Sequence, residues 1–300
     1  MTVFVLRWGS FVTQRKLAVL TPSFEGDFDQ CRLLVQSLEK HLKDDYKHYV
    51  VVDRSDEALF KQIESSRTEI VLKEDVLPFW ISPWKVPLPR SGRVMRPSLK
   101  SWPIRGWIYQ QMAKVEMAHR LQEEVVIMSD SDVILIKDLS VYDLIGDGHT
   151  PLYWKPGQND LSRTDHVKWH YTSCKVMGYP EPQFPQPNYI SPFNLWRPEQ
   201  VRAMKKKMED TTGTDWITTI ARNWDFCEPI AYGTYVEAEG PESCGHRFTE
   251  ENLCHSHWDL VPLDAAGLEK FLSEMPEHCY SVNIQSKSGT PQSVFEHLAA

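Results

Sequence analysis

Two aspartates separated by one serine, Asp130 and Asp132, have the clearest capacity for chemistry in this chain. They follow residues 125–129, which are apolar or small, and another apolar run comes after them. Such a run predicts a strand buried on both faces of a parallel sheet. Ligands of α/β proteins bind at the carboxyl edge of the sheet, and unpaired buried charge is unfavourable. The pair therefore predicts a site for Mg²⁺ or Mn²⁺ with positions open to phosphate. A polar turn after the strand is the alternative.

Strands and helices alternate ahead of these aspartates, which predicts an α/β fold. Because helices separate the strands, we expect a mostly parallel sheet flanked by helices, with right-handed crossovers. A helix leads directly into the aspartate strand, and residues 1–16 are either a lead-in or a first strand. The predicted strands are residues 16–20, 49–52 and 69–72, and the predicted helices are residues 29–43, 56–65 and 107–122.

The chain changes character after Ile136. Residues 146–200 are rich in aromatic side chains and in loops, and helices are expected at 198–208 and 214–223. An apolar-aromatic turn is expected at 232–235. Because there is no internal repeat or low-complexity linker, we predict one continuous domain over residues 1–290, with residues 291–300 as a tail.

Composition limits the classes of function. Charged residues make up 25% of the chain, apolar residues 41%, and the net charge is −8, so we expect no nucleic-acid partner. No secretory signal or membrane span is expected. The six cysteines include no CxxC pair, which favours a reduced cytoplasmic setting over a disulfide framework. The basic run at 205–207 suggests peripheral membrane contact; a solvated helix face is its alternative.

Two groups of polar side chains are candidates for binding phosphate or sugar. Gln111 and Lys114 lie about one turn apart on a predicted helix and are expected to reach the sheet edge, although a surface lysine is an alternative. Residues 78–103 show no periodicity and carry Arg90, Arg93 and Arg96. Arginine suits bidentate phosphate binding, so we predict a lid that closes on a ligand. An ordinary solvated basic loop is the alternative.

Four motifs occur in an order that resembles the nucleotide-binding half of GT-A glycosyltransferases. More narrowly, the chain is similar to a little-characterised bacterial family within that superfamily. The resemblance covers residues 17–290 and implies a GT-A-like, Rossmann-like fold, in which residues 17–145 bind a nucleotide sugar and residues 146–290 form a loop-rich acceptor half. The motifs are Thr21-Pro22-Ser23 after the first strand, Asp53-Arg54 after the second, the Gly-Trp-Ile-Tyr-Gln-Gln helix from Gly106, and Ser129-Asp130-Ser131-Asp132.

The resemblance implies roles for these motifs in binding the donor. Asp130 and Asp132 would hold a divalent cation that bridges the diphosphate, because a departing nucleoside diphosphate leaves charge that must be neutralised. The other implied donor contacts are Ser131 to the ribose, Thr21, Pro22 and Ser23 in the nucleotide pocket, Asp53 and Arg54 at the base or ribose, and Ser286 and Lys287 at the diphosphate.

Late histidines add a further expectation about the metal. Many GT-A enzymes supply a histidine late in the chain, and His257 resembles that ligand, with His255 as second choice. We expect only one of the two to face the site. Two alternatives stay open: a purely structural histidine, and a zinc site, whose spacing matches no usual pattern. The zinc alternative would use Cys244, His246, Cys254, His255 and His257.

Catalysis and acceptor binding complete the expected site. An inverting transferase needs a carboxylate to take the proton of the acceptor hydroxyl. In the resembling family an acidic residue before a Tyr-Gly stretch fits this role, so Glu228 is the first choice and Asp225 the second; a helix-end carboxylate is the alternative. An acceptor platform is predicted at Asn188, Tyr189 and Trp196, unless these aromatic side chains belong to the core.

These observations predict a metal-dependent glycosyltransferase. It would move a sugar from a nucleotide-diphosphate sugar to a hydroxyl of a glycan or lipid-linked saccharide, for surface polysaccharide synthesis. We expect it in the cytoplasm, including the inner face of the membrane. The alternatives are a phosphotransferase of the haloacid-dehalogenase type, with the first aspartate as nucleophile, and an inactive sugar- or nucleotide-binding module.

Overall fold

The computed structural model describes residues 17–87 and 94–299. Its strands are β1 (Leu17–Pro22), β2 (Tyr46–Val52), β3 (Thr68–Leu72), β4 (Val86–Pro87), β5 (Val94–Arg96), β6 (Ile104–Arg105), β7 (Val125–Ser129), β8 (Val133–Leu135), β9 (Thr150–Tyr153), β10 (Lys155–Asn159), β11 (Gln186–Asn188), β12 (Phe193–Trp196), β13 (His246–Thr249), β14 (Cys254–His257) and β15 (Ser281–Ile284). Its α-helices are α1 (Phe28–His41), α2 (Glu57–Phe60), α3 (Lys73–Val76), α4 (Gly106–Arg120), α5 (Val141–Leu144), α6 (Thr164–Met177), α7 (Pro198–Thr212), α8 (Trp216–Ala221), α9 (Glu228–Glu239), α10 (Ala265–Ser273) and α11 (Gln292–Phe295).

A mostly parallel sheet lies at the centre, in the order β12-β7-β1-β2-β3. Strand β1 pairs in parallel with β2 and with β7, β2 pairs in parallel with β3, and β12 is antiparallel to β7. The predicted α/β class with a mostly parallel sheet is therefore confirmed. The chain leaves β1 toward β2 and returns to the opposite side of β1 at β7, so the sheet has a switch point between β1 and β7.

Both faces of β1 and β7 are covered, which explains their unbroken apolar sequences. Alternate residues such as Ala18 and Val126 pack in one cluster with apolar side chains of α4. The residues between them, such as Val19 and Ile127, pack in another cluster with Leu34 of α1. Period-two alternation thus divides each strand between two hydrophobic layers, and the strand ends are held rigidly at one edge.

The C-terminal part of the chain returns to the aspartate region. Strand β15 pairs antiparallel with β8 and parallel with β14. The predicted tail is instead structured over residues 292–299, where α11 and a 3₁₀ turn bury Phe295 and Ala299 beside Leu33 of α1. The tail prediction was wrong because these apolar side chains fill the groove between α1 and this sheet.

Two further segments differ from expectation. Residues 146–200 contain the helix α6, and residues 78–103 contain short antiparallel strands rather than only loops. The predicted turn at 232–235 lies within α9. Glycine is needed at position 233 of this helix because a Cβ there would lie only 2.1 Å from Cγ of Tyr189. Gly233 therefore marks close packing between α9 and Tyr189, not a turn.

Substituting Gly233→Ala is expected to destabilise the protein by about 2 kcal/mol, because overpacking the Tyr189 ring outweighs the better helix propensity of alanine. Chemical denaturation measures the difference. Gly106→Ala is the matched control, since a Cβ there has its nearest neighbour at 3.6 Å, and this change should not lower the free energy of unfolding. Equal stability of the Gly233→Ala variant and the wild type would contradict this packing argument.

A buried histidine makes stability depend on pH. The ring of His48 in β2 is fully buried, its Nε2 lies 3.0 Å from Oγ1 of Thr21, and its Nδ1 has no hydrogen-bond partner. Burial lowers the pKa of His48 from 6.5 to about 3. The folded state therefore keeps this ring neutral at pH values where the unfolded chain protonates it.

We expect His48 to cost stability as the pH falls from 6.5 toward 3, by about 2 kcal/mol at pH 5. Above pH 6.5 both states are neutral and the contribution vanishes. The free energy of unfolding, measured at pH 7 and pH 5 for the wild type and His48→Gln, should fall more steeply with acid in the wild type. Parallel pH profiles for the two proteins would rule this out.

Candidate active site

A cavity of about 290 Å³ opens at the carboxyl edge of the sheet, at the switch point between β1 and β7. Open α/β sheets bind ligands in this position, because the chain connections diverge there and leave a crevice. Polar groups from several elements converge on it. The lining consists of Pro22, Asp27, Trp107, Gln110, Gln111, Lys114, Asp130, Ser131, Asp132, Trp169, Ile190, Ser191, Cys227, Glu228 and Pro229.

Three aspartates crowd one side of the cavity. Asp132 is held by hydrogen bonds from Nδ2 of Asn283 (2.7 Å) and the backbone N–H of Ser286 (3.3 Å). Burial, together with the negative charges of Asp130 and Asp27, raises the pKa of Asp132 to about 7. Burial also raises the pKa of Asp27. This side of the cavity therefore holds more negative charge than it readily accommodates, and it favours uptake of a cation or a proton.

Asp27 is a cavity residue that sequence reasoning missed. It lies in the turn between β1 and α1, and its carboxylate accepts a hydrogen bond from Oγ of Ser131 (3.3 Å). The available signal was its position a few residues beyond the end of the first strand, at the same sheet edge as Asp130. Ser131 thus lies at the cavity as predicted, although its partner within the chain is this carboxylate.

Lys114 links the two acidic sides of the cavity. Its Nζ lies 3.0 Å from Oε1 of Glu228 and 3.3 Å from Oδ1 of Asp130. Burial alone would lower the pKa of Lys114, but these two carboxylates outweigh that effect and hold the pKa above its ordinary value. Because Lys114 and Glu228 are both nearly inaccessible to water, this ion pair fixes the start of α9 against α4 and the end of β7.

Gln111 positions Glu228 from the other side. Its Oε1 accepts a hydrogen bond from the backbone N–H of Glu228 (2.8 Å), the first residue of α9. Its buried Nε2 has no hydrogen-bond partner within the described chain, which leaves a donor next to the cavity. Gln111 and Lys114 therefore both lie at the site, as their helical spacing predicted, and neither is an ordinary surface residue.

The carboxylates of Asp130 and Asp132 at the cavity are oxygen ligands of the kind that a hard divalent cation takes. Within residues 17–87 and 94–299, no group of three or more His, Cys, Asp or Glu side chains is arranged to hold a metal ion. Asp130 and Asp132 alone would supply the protein ligands. One or two carboxylates, with water and phosphate completing the shell, are the usual protein contribution to Mg²⁺ sites.

The late histidines lie away from the cavity. Nε2 of His257 lies 2.9 Å from the carbonyl oxygen of Val261, and Nε2 of His255 lies 3.1 Å from that of Phe271. Both rings pack against Phe271, because residues two apart in a strand share a face. The expectation that only one of them faces the site was therefore wrong, and neither lines the cavity.

The five residues of the zinc alternative do not converge on one point in the structure. His246 is buried, with Nε2 2.7 Å from the hydroxyl of Tyr232 and Nδ1 3.0 Å from the carbonyl oxygen of Thr150. Cys244 packs in the core cluster beside α9, whereas Cys254 lies in a different cluster.

The predicted nucleotide-pocket motif is only partly at the cavity. Pro22 lines it, but Thr21 is buried against His48, and the carbonyl of Ser23 accepts a hydrogen bond from Nζ of Lys73 (2.9 Å). Both hydroxyl-bearing side chains are inaccessible, so a ligand in the cavity does not contact them in this structure.

Asp53 is a structural ion-pair residue rather than a ligand contact. Its carboxylate lies 2.6 Å from Arg96, 2.7 Å from Lys85 and 3.8 Å from Lys73. This replaces its predicted base or ribose contact, because the charge is already satisfied inside the protein. Arg54 pairs with Asp75 at the surface.

The predicted arginine lid does not include Arg96, whose side chain is buried in the Asp53 ion pair. The other two residues of that prediction, Arg90 and Arg93, lie outside the described residues. Ser286 and Lys287, in contrast, lie beside the aspartates. The Ser286 N–H contacts Asp132, and the charge of Lys287 acts on the pKa of Asp27.

The predicted acceptor platform belongs to the core. Tyr189 and Trp196 are each 1% exposed. The hydroxyl of Tyr189 donates to the carboxylate of Glu237, and the ring of Trp196 stacks on Tyr232 at 4.2 Å. Asn188 is held by Gln158. These side chains were assigned wrongly because aromatic type alone does not distinguish a sugar platform from core packing.

Aromatic surface at the cavity comes instead from Trp107 and Trp169, whose ring centroids are 5.3 Å apart. The helical spacing of Trp107, Gln111 and Lys114 places the three on one face of α4 and was the available signal. Glu228, the first choice of base, lies in the cavity wall, whereas Asp225 lines a separate groove beside Arg222.

These features define an α/β protein with an acidic ligand cavity at the switch point of its sheet. The model of a family of unknown function, DUF6492, matches residues 17–295, and the chain belongs to this family. No curated protein matches the sequence. Within the described part of the chain, no helix combines the length and apolar character required to cross a membrane.

We expect Lys114→Met to lower the free energy of unfolding by about 3 kcal/mol, because it leaves the buried Glu228 carboxylate without its cation. Adding Glu228→Gln to that variant should recover part of the loss. Urea denaturation tests both variants. Lys61→Met, which removes an exposed pair with Glu57, is the control and should change nothing measurable. If Lys114→Met were as stable as that control, the ion pair would not hold the site together.

Proposed function

We propose that this protein is a metal-dependent glycosyltransferase that uses a nucleotide-diphosphate sugar. The observation that carries the proposal is the crowding of Asp27, Asp130 and Asp132 at the switch point of the sheet. The negative charge there exceeds what Lys114 balances. A divalent cation bound there would offset this excess, and it could hold a diphosphate at the edge where α/β sheets bind ligands.

The roles of the chain's own residues follow from their positions. Asp130 and Asp132 would hold the cation, which would neutralise the charge left on the departing diphosphate. Asn283 and the Ser286 N–H hold Asp132 in place. The exposed Lys287 beside Asp27 adds positive charge at the phosphate side.

The opposite wall of the cavity suits the acceptor. The indole rings of Trp107 and Trp169 offer apolar faces for the C–H surface of a sugar. Glu228 is the carboxylate in this wall, and its position is fixed by Lys114 and Gln111. The acceptor is a hydroxyl of a glycan or of a lipid-linked saccharide.

Transfer with inversion takes place in a single displacement at the anomeric carbon. The acceptor oxygen forms a bond to the anomeric carbon, the bond from that carbon to the diphosphate oxygen breaks, and the hydroxyl proton passes to Glu228. Lys114, already bonded to Glu228, holds the carboxylate oriented during this step. The diphosphate departs with both bonding electrons onto its oxygen.

Release of nucleoside diphosphate from a panel of uridine- and guanosine-diphosphate sugars, measured with Mn²⁺ and with a chelator, tests the proposal. We expect slow metal-dependent release. Asp132→Asn should reduce it by roughly a hundredfold or more, because it removes charge from the cation site. Glu228→Gln should reduce transfer to acceptors by about 10²–10⁴-fold.

Asp225→Asn is the matched control, because this carboxylate lies outside the cavity, and its activity should stay near that of the wild type. Nucleotide-sugar binding, seen as a rise in melting temperature with Mn²⁺ but without any release, would indicate a binding module instead. Unchanged release in Asp132→Asn would remove the basis of the proposal.

A further inference from the structure

A short antiparallel ribbon directly precedes α4, a helix that lines the cavity. It is formed by residues 78–87 and 94–105, here called the aromatic ribbon. Strand β4 pairs with β5, β5 pairs with β6, and a bridge joins Ile81 to Ser98. The buried Arg96 fastens it to Asp53 at the end of β2. The ribbon is therefore an ordered element, and its next residues begin α4.

The aromatic ribbon exposes large apolar side chains. Phe79 is 93% exposed, Leu99 84%, Trp84 77% and Trp102 75%. Trp224 lines a groove with Trp102 and extends the same surface. Several large apolar side chains exposed in one short segment are unfavourable in water and mark a site that another surface covers.

The charges on this surface are positive, although the chain as a whole carries −8. Residues 76–87 and 94–105 include four basic residues and no Asp or Glu. Lys85 and Arg96 are paired with Asp53. The remaining basic side chains at this surface are Lys100, Arg105 and, from the neighbouring segment, Arg222; no ion pair involves them among the described residues.

Direct contacts show that these cations share the surface with the apolar side chains. Nε of Arg222 donates to the carbonyl oxygen of Lys100 (3.3 Å), and Nη1 of Arg105 donates to that of Trp224 (3.3 Å). The nearby acidic side chain is Asp225, which lines the groove with Arg222. Apolar projections and cations thus form one mixed surface.

We propose that the aromatic ribbon docks on the surface of an anionic lipid bilayer. Tryptophan is favoured at the interface, where its ring meets both acyl chains and headgroups, and lysine and arginine are attracted to anionic headgroups. A glycan partner fits less well, because Phe79 and Leu99, the most exposed side chains, form no hydrogen bonds with hydroxyl groups. The proposal does not depend on the glycosyltransferase function.

The basic run at 205–207 is not this surface. Lys205 is buried against Glu116 (2.6 Å), Lys206 pairs with Asp210 (2.6 Å), and Lys207 lies 3.4 Å from Glu239. Each of these charges already has an acidic partner, so the run offers little net attraction to a membrane.

Co-sedimentation of the full chain with vesicles tests the proposal. One vesicle set contains phosphatidylcholine alone, and the other contains phosphatidylcholine and phosphatidylglycerol in equal amounts. We expect binding to the mixed vesicles that weakens as salt is added. Replacing Trp84, Leu99 and Trp102 together by serine should abolish it. Lys100→Gln with Arg222→Gln should weaken it roughly thirtyfold, from loss of two cations near the headgroups.

The matched control replaces Trp258, Leu260 and Val261 by serine. These side chains are similarly exposed but lie next to or between Asp259 and Asp264 rather than among basic residues in the sequence. This control should bind like the wild type, and circular dichroism should show that all variants are folded. No binding to mixed vesicles, or equal loss in the control, would overturn the proposal. Equally strong binding to vesicles of phosphatidylcholine alone would contradict the proposed attraction between the basic side chains and anionic headgroups.

Discussion

The site depends on one buried ammonium group. Nζ of Lys114 lies between Glu228 and Asp130, so a helix, a strand end and a second helix meet through a single charge. None of these carboxylates is placed by its own element alone. Because unpaired charge in a dry environment is strongly unfavourable, the three elements can adopt few other relative positions. The Lys114 ion pairs thus hold the three elements together, and they also keep the carboxylates of Glu228 and Asp130 at the cavity.

Charge balance separates the two acidic centres of the protein. Asp53 is surrounded by Lys73, Lys85 and Arg96, and burial there is compensated within the chain. Near the three cavity aspartates the described residues provide the buried Lys114 and the exposed Lys287, while burial and the charges of Asp130 and Asp27 raise the pKa of Asp132. An acidic group whose charge is balanced by neighbouring cations stabilises the fold. An acidic group whose charge is not balanced favours binding of a ligand that supplies positive charge. This distinction, rather than the Asp-x-Asp spacing, points to the cavity as the site.

The pattern of apolar residues was sufficient to predict those elements whose position is determined mainly by burial. Strands β1 and β7 and helices α1 and α4 were predictable because both faces of the strands, or one face of each helix, are buried. The same periodicity placed Gln111 and Lys114 correctly. Asp27, Tyr189 and Trp196 depended on long-range packing, which determines whether a polar or aromatic side chain faces solvent or another element. Helix α6 was missed because its polar, aromatic and small residues give a weak apolar stripe.

Helix α4 connects the aromatic ribbon to the cavity. It begins at Gly106, directly after the aromatic ribbon, and reaches Lys114 after about 12 Å of axial rise. If the aromatic ribbon lies among the lipid headgroups, helix α4 would act as a rigid spacer and fix the distance between the bilayer surface and the cavity. Under that geometry, an acceptor with its lipid portion retained in the bilayer could present its saccharide at the right height. The enzyme would then favour acceptors whose polar spacer matches the distance between the bilayer and the cavity.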